Sequence, residues 1–228
     1  MRDEVRSSKE LKSEKISMGR KKNLNKKMPL IDKIILAIIF FCFVAVIGIK
    51  AAVELGRGSP NPMRTLGNSK APIRIVEYID LQCLSCAKGS QALREYMKEH
   101  PGIIFLELKY FPINYHKNSL RATIYSECAG KQGKFWPFID NILDQQEKWK
   151  DLNNPNAVFE QIARNTQLNT PELFQCIQDP KIKDAVLEAK SYARSIGIDT
   201  APTYYINSKI LIGHESLIQE IENQLREK

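Results

Sequence analysis

The stretch I75-V-E-Y-I-D-L-Q-C-L-S-C-A-K-G-S-Q91 places Cys83 and Cys86 two residues apart, just after an apolar run. IRIVEYI, residues 73–79, is β-branched and aromatic and predicts a strand. A helix is expected to open near Cys83 and run to about His100, where Pro101-Gly102 stops it. IIFLELKYF, residues 103–111, is the next strand, and a crossover of this length implies parallel pairing.

A C-x-x-C that opens a helix puts its first sulfur at the end carrying partial positive charge and unpaired N–H groups. Those groups stabilise a thiolate, so Cys83 is expected to ionise below the free-thiol range. Cys86 sits one turn inward, within reach for a disulfide back to Cys83. A zinc site would need two further ligands at close spacing. Cys128 and Cys176 are far apart in sequence, and His100, His116 and His214 show no paired spacing. The pair therefore reads as a redox centre, with no metal and no cofactor expected.

Outward from this pair, a long helical region follows from about residue 117 to 196. Thr170-Pro171-Glu172 reads as an N-cap, a first-turn proline and an acid matched to the helix dipole. PTYYIN and KILIG flank Asn207-Ser208 as a tight hairpin. ESLIQEIENQLREK closes the chain with Leu217, Ile218, Ile221 and Leu225 on one helical face. The order is β-α-β, a helical insertion at about 113–196, then β-β-α: an α/β chain with a thioredoxin fold.

The chain has 228 residues and a net charge of +8. Residues 1–33 hold eleven Lys/Arg against five Asp/Glu, which leaves only +2 for the remainder and argues against a nucleic-acid partner. IILAIIFFCFVAVIGI, residues 34–49, is an uncharged apolar run, extended by Ala51, Ala52 and Val53. It approaches the 17–25 residues that a membrane-spanning helix needs. A cleaved signal peptide fits less well, because the apolar run is long and IGIKAAVE lacks a clean A-x-A site. The expected organisation is a basic cytoplasmic tail (1–29), a transmembrane signal anchor (30–53), a Gly/Pro/Ser/Asn-rich linker (54–70) and a domain over 71–228. Basic residues stay on the cytoplasmic side, so the domain is expected outside the membrane, where four cysteines face an oxidising milieu. Cys42 lies within the apolar run and reads as filler.

Three motifs in order resemble the DsbA-like branch of the thioredoxin superfamily: IVEYIDLQCLSC, ECAGKQGKFW at 127–136, and IGIDTAPTYYINSKILIGHES at 196–216. The resemblance covers residues 71–228. It implies a thiol:disulfide oxidoreductase in which Cys83 is the exposed nucleophile and Cys86 its buried partner. Pro202 would be the family's cis-proline and would set the Ala201 backbone opposite the sulfurs; the alternative is an ordinary loop proline. Glu77 matches a buried acid that moves protons there; the alternative is a strand glutamate facing solvent. Leu84 and Ser85 depart from the Pro-His of the most oxidising relatives, which suggests a less oxidising couple.

The implied partners are exported proteins with free thiols and a DsbB-like or VKOR-like membrane oxidant. The implied setting is the bacterial inner membrane, single-pass, with a monomeric catalytic domain on the periplasmic side. A reductase or isomerase working with reduced cysteines is an alternative, as is a redox-inactive peptide-binding assembly module. Some relatives carry a second disulfide in the helical insertion, which favours a Cys128–Cys176 bridge; four external cysteines allow three pairings. Each of these two falls on an apolar helix face, Cys128 four residues after Ile124 and Cys176 three after Leu173. The alternative is that each is a small buried hydrophobe.

Overall fold

The computed structural model describes residues 31–32, 34–44, 61–207 and 209–226. The chain divides into two units, Met1–Gly58 and Ser59–Lys228. In the first, residues 31–32 and 34–44 are helical, and Ile34, Ile38, Phe40 and Phe41 are exposed. Among the described residues no helix is long and apolar enough to cross a membrane. Residues 45–53 of the expected anchor, and the basic tail, lie outside the described residues.

The second unit is built on a five-stranded sheet in the order β1-β3-β2-β4-β5. The strands are β1 (Thr65–Gly67), β2 (Ile73–Ile79), β3 (Ile104–Tyr110), β4 (Thr203–Ile206) and β5 (Lys209–Ile212). β2 and β3 run parallel, and every other pairing is antiparallel. The crossover between them is helix α1 (Leu84–Glu99), which ends at His100 before Gly102 takes a positive φ of 81°. Between β3 and β4 lie α2 (Ser119–Lys131), α3 (Phe135–Asp144), the short α4 (Gln146–Trp149), α5 (Asn156–Asn165), α6 (Thr170–Gln178) and α7 (Pro180–Ser195). Helix α8 (His214–Arg226) closes the domain. The mixed α/β thioredoxin plan with a helical insertion is therefore present.

Alternation along β2 assigns its two faces. Ile73 and Ile75 pack with Leu93 of α1, Tyr204 and Ile206 of β4, and Leu217 and Ile221 of α8. Tyr78 points the other way, into a cluster with Phe111, Ala193 of α7 and Ile198. Full burial of each such aliphatic side chain stabilises the fold by about 1.5–3 kcal/mol. Glu77 belongs to the same face as Ile73, Ile75 and Ile79, so a carboxyl sits in an otherwise aliphatic row.

Two expectations are corrected. The linker does not extend to residue 70: Pro62–Arg64 form a 3-10 turn and β1 follows, antiparallel to β3. Its anchors come from elsewhere in the chain, with Arg64 ion-paired to Glu127 at 2.9 Å and Trp136 Nε1 donating to the Thr65 carbonyl. The cap of α6 is Asn169 rather than Thr170, because Asn169 has extended backbone and its side chain accepts from the Glu172 N–H at 3.2 Å. At the hairpin, Asn207 adopts a positive φ of 52° and both donates to and accepts from the Arg74 backbone, as the turn reading requires; Ser208 lies outside the described residues.

Candidate active site

The loop between β2 and α1 carries the cysteine pair, and several polar contacts fix it. Asp80 is fully buried; its carboxylate accepts from the Gln82 N–H at 2.7 Å and meets His116 Nδ1 at 3.0 Å. Gln82 accepts from the Asn118 N–H and donates to the Lys150 carbonyl. Gln146 donates to the Leu81 carbonyl. The loop is thus tied to the helical insertion as well as to the sheet, and the reactive sulfurs sit on a braced scaffold rather than a free turn.

Cys83 is the N-cap residue of α1, with extended backbone and no side-chain capping bond of its own. Its sulfur therefore faces the unpaired N–H groups of the first turn. Cys86 is fully buried, while Cys83 remains partly exposed, and both are free thiols. The Cys83 thiol is lowered to about 6, chiefly because the Cys86 thiol donates to it; the Cys86 and Ser85 N–H groups add to this, against burial and the Asp80 charge. Burial pushes the Cys86 thiol well above its ordinary range, and the neighbouring Cys83 sulfur adds to the rise. The Asp80 N–H donates to Cys86 Sγ at 3.4 Å and partly opposes it. One sulfur is thus prepared to be a thiolate at neutral pH and the other to stay protonated.

Across the gap, the Ala201–Pro202 peptide bond is cis. The Cys83 thiol points at the Ala201 carbonyl oxygen, 3.7 Å away. Leu84 is about half exposed beside it. Glu77 is fully buried below, accepts from the Ser90 hydroxyl at 3.1 Å, and burial raises its carboxyl to about 7 against the lowering effect of Arg94. The solvent-facing alternative for Glu77 does not hold, because β2 turns that face towards α1.

The structure brings Cys83, Cys86, Ala201 and Pro202 together, with Glu77 beneath them. It places Cys128 and Cys176 elsewhere, joined in a disulfide between α2 and α6 with their Cα atoms 5.8 Å apart. Sequence reading missed two contributors. His214, the first residue of α8, lies 2.9 Å from the Ser85 hydroxyl through Nδ1. Tyr204 of β4 stands directly opposite Glu77 in the ladder. Both lie within the stretch 196–216 but carry no role there by spacing; the packing of α8 on α1 and the β2–β4 register bring them to the site.

Comparison with known proteins agrees with this geometry. The thioredoxin family model matches residues 59–225, and the chain belongs to that family. Within it, the structural neighbours are DsbA-like thiol-disulfide oxidoreductases. Wolbachia pipientis alpha-DsbA1 is 25% identical with a TM-score of 0.59, over 74% of this chain and 92% of that one. BdbD of Bacillus subtilis, oxidised, is 21% identical with a TM-score of 0.62, over 75% and 95%. The Rickettsia typhi protein named "Putative protein-disulfide oxidoreductase RT0103" is 26% identical over 147 residues, 62% of this chain and 53% of that protein. The Mycolicibacterium vanbaalenii protein named "Na(+)/H(+) antiporter NhaA 1" is 23% identical over 151 residues, 65% of this chain and 24% of that protein. The chain thus spans from about a quarter to about half the length of these curated relatives.

Proposed function

We propose that this chain is a membrane-anchored thiol:disulfide oxidoreductase that introduces disulfide bonds into exported proteins. The observation that carries this is the opposite tuning of two sulfurs on one helix turn, Cys83 lowered to about 6 and Cys86 raised. A favoured Cys83 thiolate stabilises the reduced pair, so passing the disulfide to a substrate runs downhill.

In the oxidised protein a substrate thiolate attacks Cys83 Sγ. The Cys83–Cys86 bond breaks, Cys86 leaves as a thiolate and takes up a proton, and a mixed disulfide holds the substrate on Cys83. The substrate's second thiolate attacks its own sulfur in that bond, and Cys83 leaves as the stabilised thiolate. Two electrons pass from substrate to enzyme. A DsbB-like or VKOR-like membrane protein removes them by the reverse exchange. During the encounter the Ala201 backbone, beside Cys83, pairs with an extended substrate as an added strand does.

The anchor reading rests on the apolar run at 34–49 and its basic flank, and it sets the domain on the periplasmic face of the inner membrane as a monomer. Two measurements test the exchange chemistry. Cys86→Ser should accumulate mixed disulfides with unfolded substrates that already carry a disulfide, because the Cys83 thiolate attacks that bond, one substrate sulfur leaves as a thiolate, and no second enzyme cysteine resolves the product; Cys83→Ser should not. Equilibration with glutathione should yield a couple more oxidising than glutathione itself; a more reducing couple would favour the reductase reading instead.

A further inference from the structure

The β2–β4 ladder sets Glu77 opposite Tyr204 on the face covered by α1. Both side chains are fully buried. Glu77 Oε1 and the Tyr204 hydroxyl are each without a hydrogen-bond partner among the described residues. Leaving two such groups unpaired side by side costs about 1–3 kcal/mol each, so their proximity calls for a reason. The helix above is shaped around the hydroxyl. A Cβ at Gly89 would overlap the Tyr204 oxygen, so α1 admits this tyrosine only because residue 89 is glycine. Gly89 lies between Cys86 and Ser90, the residue whose hydroxyl already donates to Glu77 Oε2 at 3.1 Å. Tyr204 also interacts electrostatically with Glu77, Cys86 and Cys83.

We propose that the Tyr204 hydroxyl, joined to Glu77 Oε1 through one water molecule, relays the proton between Glu77 and Cys86 during exchange. This rests on the oxidoreductase reading above. When a substrate thiolate attacks Cys83 and the Cys83–Cys86 bond breaks, Cys86 leaves as a thiolate in an apolar site. Glu77, protonated, gives its proton to the relay; the relay gives one to the Cys86 sulfur, and a carboxylate and a thiol remain. In the return direction Cys86 loses its proton to the Glu77 carboxylate and attacks the mixed disulfide on Cys83, and the partner sulfur leaves with the electron pair.

The relay also has an outlet. Ser90 lines an open cleft of about 750 Å³ between α1 and α3, together with Arg94, Gln91, Asp140 and Asp144. A proton on Glu77 exchanges with solvent at Ser90, through this cleft. The charged and titratable groups that face Glu77 are Arg94 of α1, Asp140 of α3 and Tyr204 of β4, with Cys86 at the end of the path. Arg94 is held by Asp140 at 3.0 Å, so the Arg94 charge does not need Glu77 as a counterion.

Tyr204→Phe in the full chain tests the relay, since it removes one oxygen and keeps the ring. Carbon-13 NMR titration of the Glu77 carboxyl in the reduced protein should show its midpoint move upward, because a donor to the charged form is lost; an unchanged midpoint would overturn the link. Single-turnover reaction of the oxidised variant with glutathione thiolate should slow about 100-fold below about pH 7, at the low end for general acid help. The variant should also lose the fall in rate that the native protein shows as Glu77 ionises. A native pH profile in Tyr204→Phe would overturn the proposal. Adding Glu77→Gln should cost nothing more; full additivity of the two changes also counts against it. Gly89→Ala, which displaces the hydroxyl but keeps it, should move the carboxyl midpoint in the same direction, and it settles the link if Tyr204→Phe does not fold. If the native protein fails to exchange with glutathione, the oxidoreductase reading falls, while the titration still decides whether Tyr204 and Glu77 are joined.

Discussion

The hydroxyl of Ser85 lies 2.9 Å from Nδ1 of His214, which ties the dipeptide between the cysteines to the first residue of α8. Ser85 is also the residue whose backbone N–H helps hold the Cys83 thiolate. An imidazole is therefore present at the site although none stands between the two cysteines, and the weaker oxidant expected from Leu84-Ser85 does not follow from the dipeptide alone. His214→Leu should free the Ser85 side chain and move the pH midpoint of Cys83 alkylation upward, whereas His214→Gln, which can still bond Ser85, should stay near the native midpoint. Identical midpoints in the native and Leu proteins would remove His214 from the account.

Cys86 is the strongest single influence on its neighbour, because its thiol donates to the Cys83 sulfur. Cys86→Ala deletes that donor, and Cys86→Ser replaces it with a hydroxyl. The midpoint for Cys83 alkylation, expected at about 6 in the native protein, should therefore rise in Cys86→Ala and rise less in Cys86→Ser. Midpoints in both variants equal to the native one would mean that the helix N–H groups hold the thiolate without help from the second cysteine. The order of labelling in the native protein checks the same assignment: Cys83 should react first at mildly acidic pH.

Legibility in the sequence followed the range of each interaction. The β-α-β unit, the helix start at Cys83, the break at Pro101-Gly102 and the Asn207 turn depend on neighbours in the chain, and composition reports them. Strand β1 could not be read that way: three residues have no periodicity, and what holds them is β3, Glu127 and Trp136 across the fold. The same limit applies at the site. Cys83 and Cys86 announce themselves by spacing, and Pro202 by resemblance. His214, Tyr204 and the Asp80–His116 contact are pairs of residues between 36 and 129 positions apart or on facing strands, set only by packing and register. Glu77 was ambiguous for a related reason, because the side of β2 that faces α1 depends on where the helix lands.

Burial of Glu77 makes stability depend on pH in a defined direction. The folded protein keeps the Glu77 proton up to about 7, whereas the ordinary value is 4.5. Between those values the folded state binds more protons than the unfolded chain, so stability falls as pH rises through the window. The gap of about 2.5 pH units at 1.36 kcal/mol each corresponds to about 3 kcal/mol, fully expressed above pH 7 and absent below 4.5. Glu77→Gln should remove this slope. Urea unfolding of the oxidised proteins at about pH 5 and about pH 8 should show a loss in the native chain that the Gln variant lacks; parallel losses would place the titration elsewhere.

The Cys128–Cys176 bridge is expected to serve stability rather than exchange. It joins α2 to α6 across a sequence separation of 48 residues. Cys128 is fully buried among Ala122, Tyr125, Ala129 and Leu173, and Cys176 packs at the edge of the same cluster. Cys128 is fully buried whereas Cys83 is partly exposed, so a substrate thiolate reaches Cys83 more readily than the bridge. The chain-entropy estimate for closing a loop of this length is about 4 kcal/mol, and losses of about 2–4 kcal/mol are usual when such a bridge is removed. Cys128→Ala combined with Cys176→Ala adds a small cavity term, because a sulfur is deleted on each side of a packed helix pair. The double variant should therefore lower the urea midpoint strongly while keeping Cys83-dependent exchange with glutathione within about two-fold of native. Exchange is the decisive readout, since Cys86 shares the apolar cluster that contains Cys128. If exchange collapses while the protein is still folded, the bridge supports the active site directly and its role is more than structural. A stability loss under about 1 kcal/mol would instead mean that the helices of the insertion hold α2 and α6 together without it.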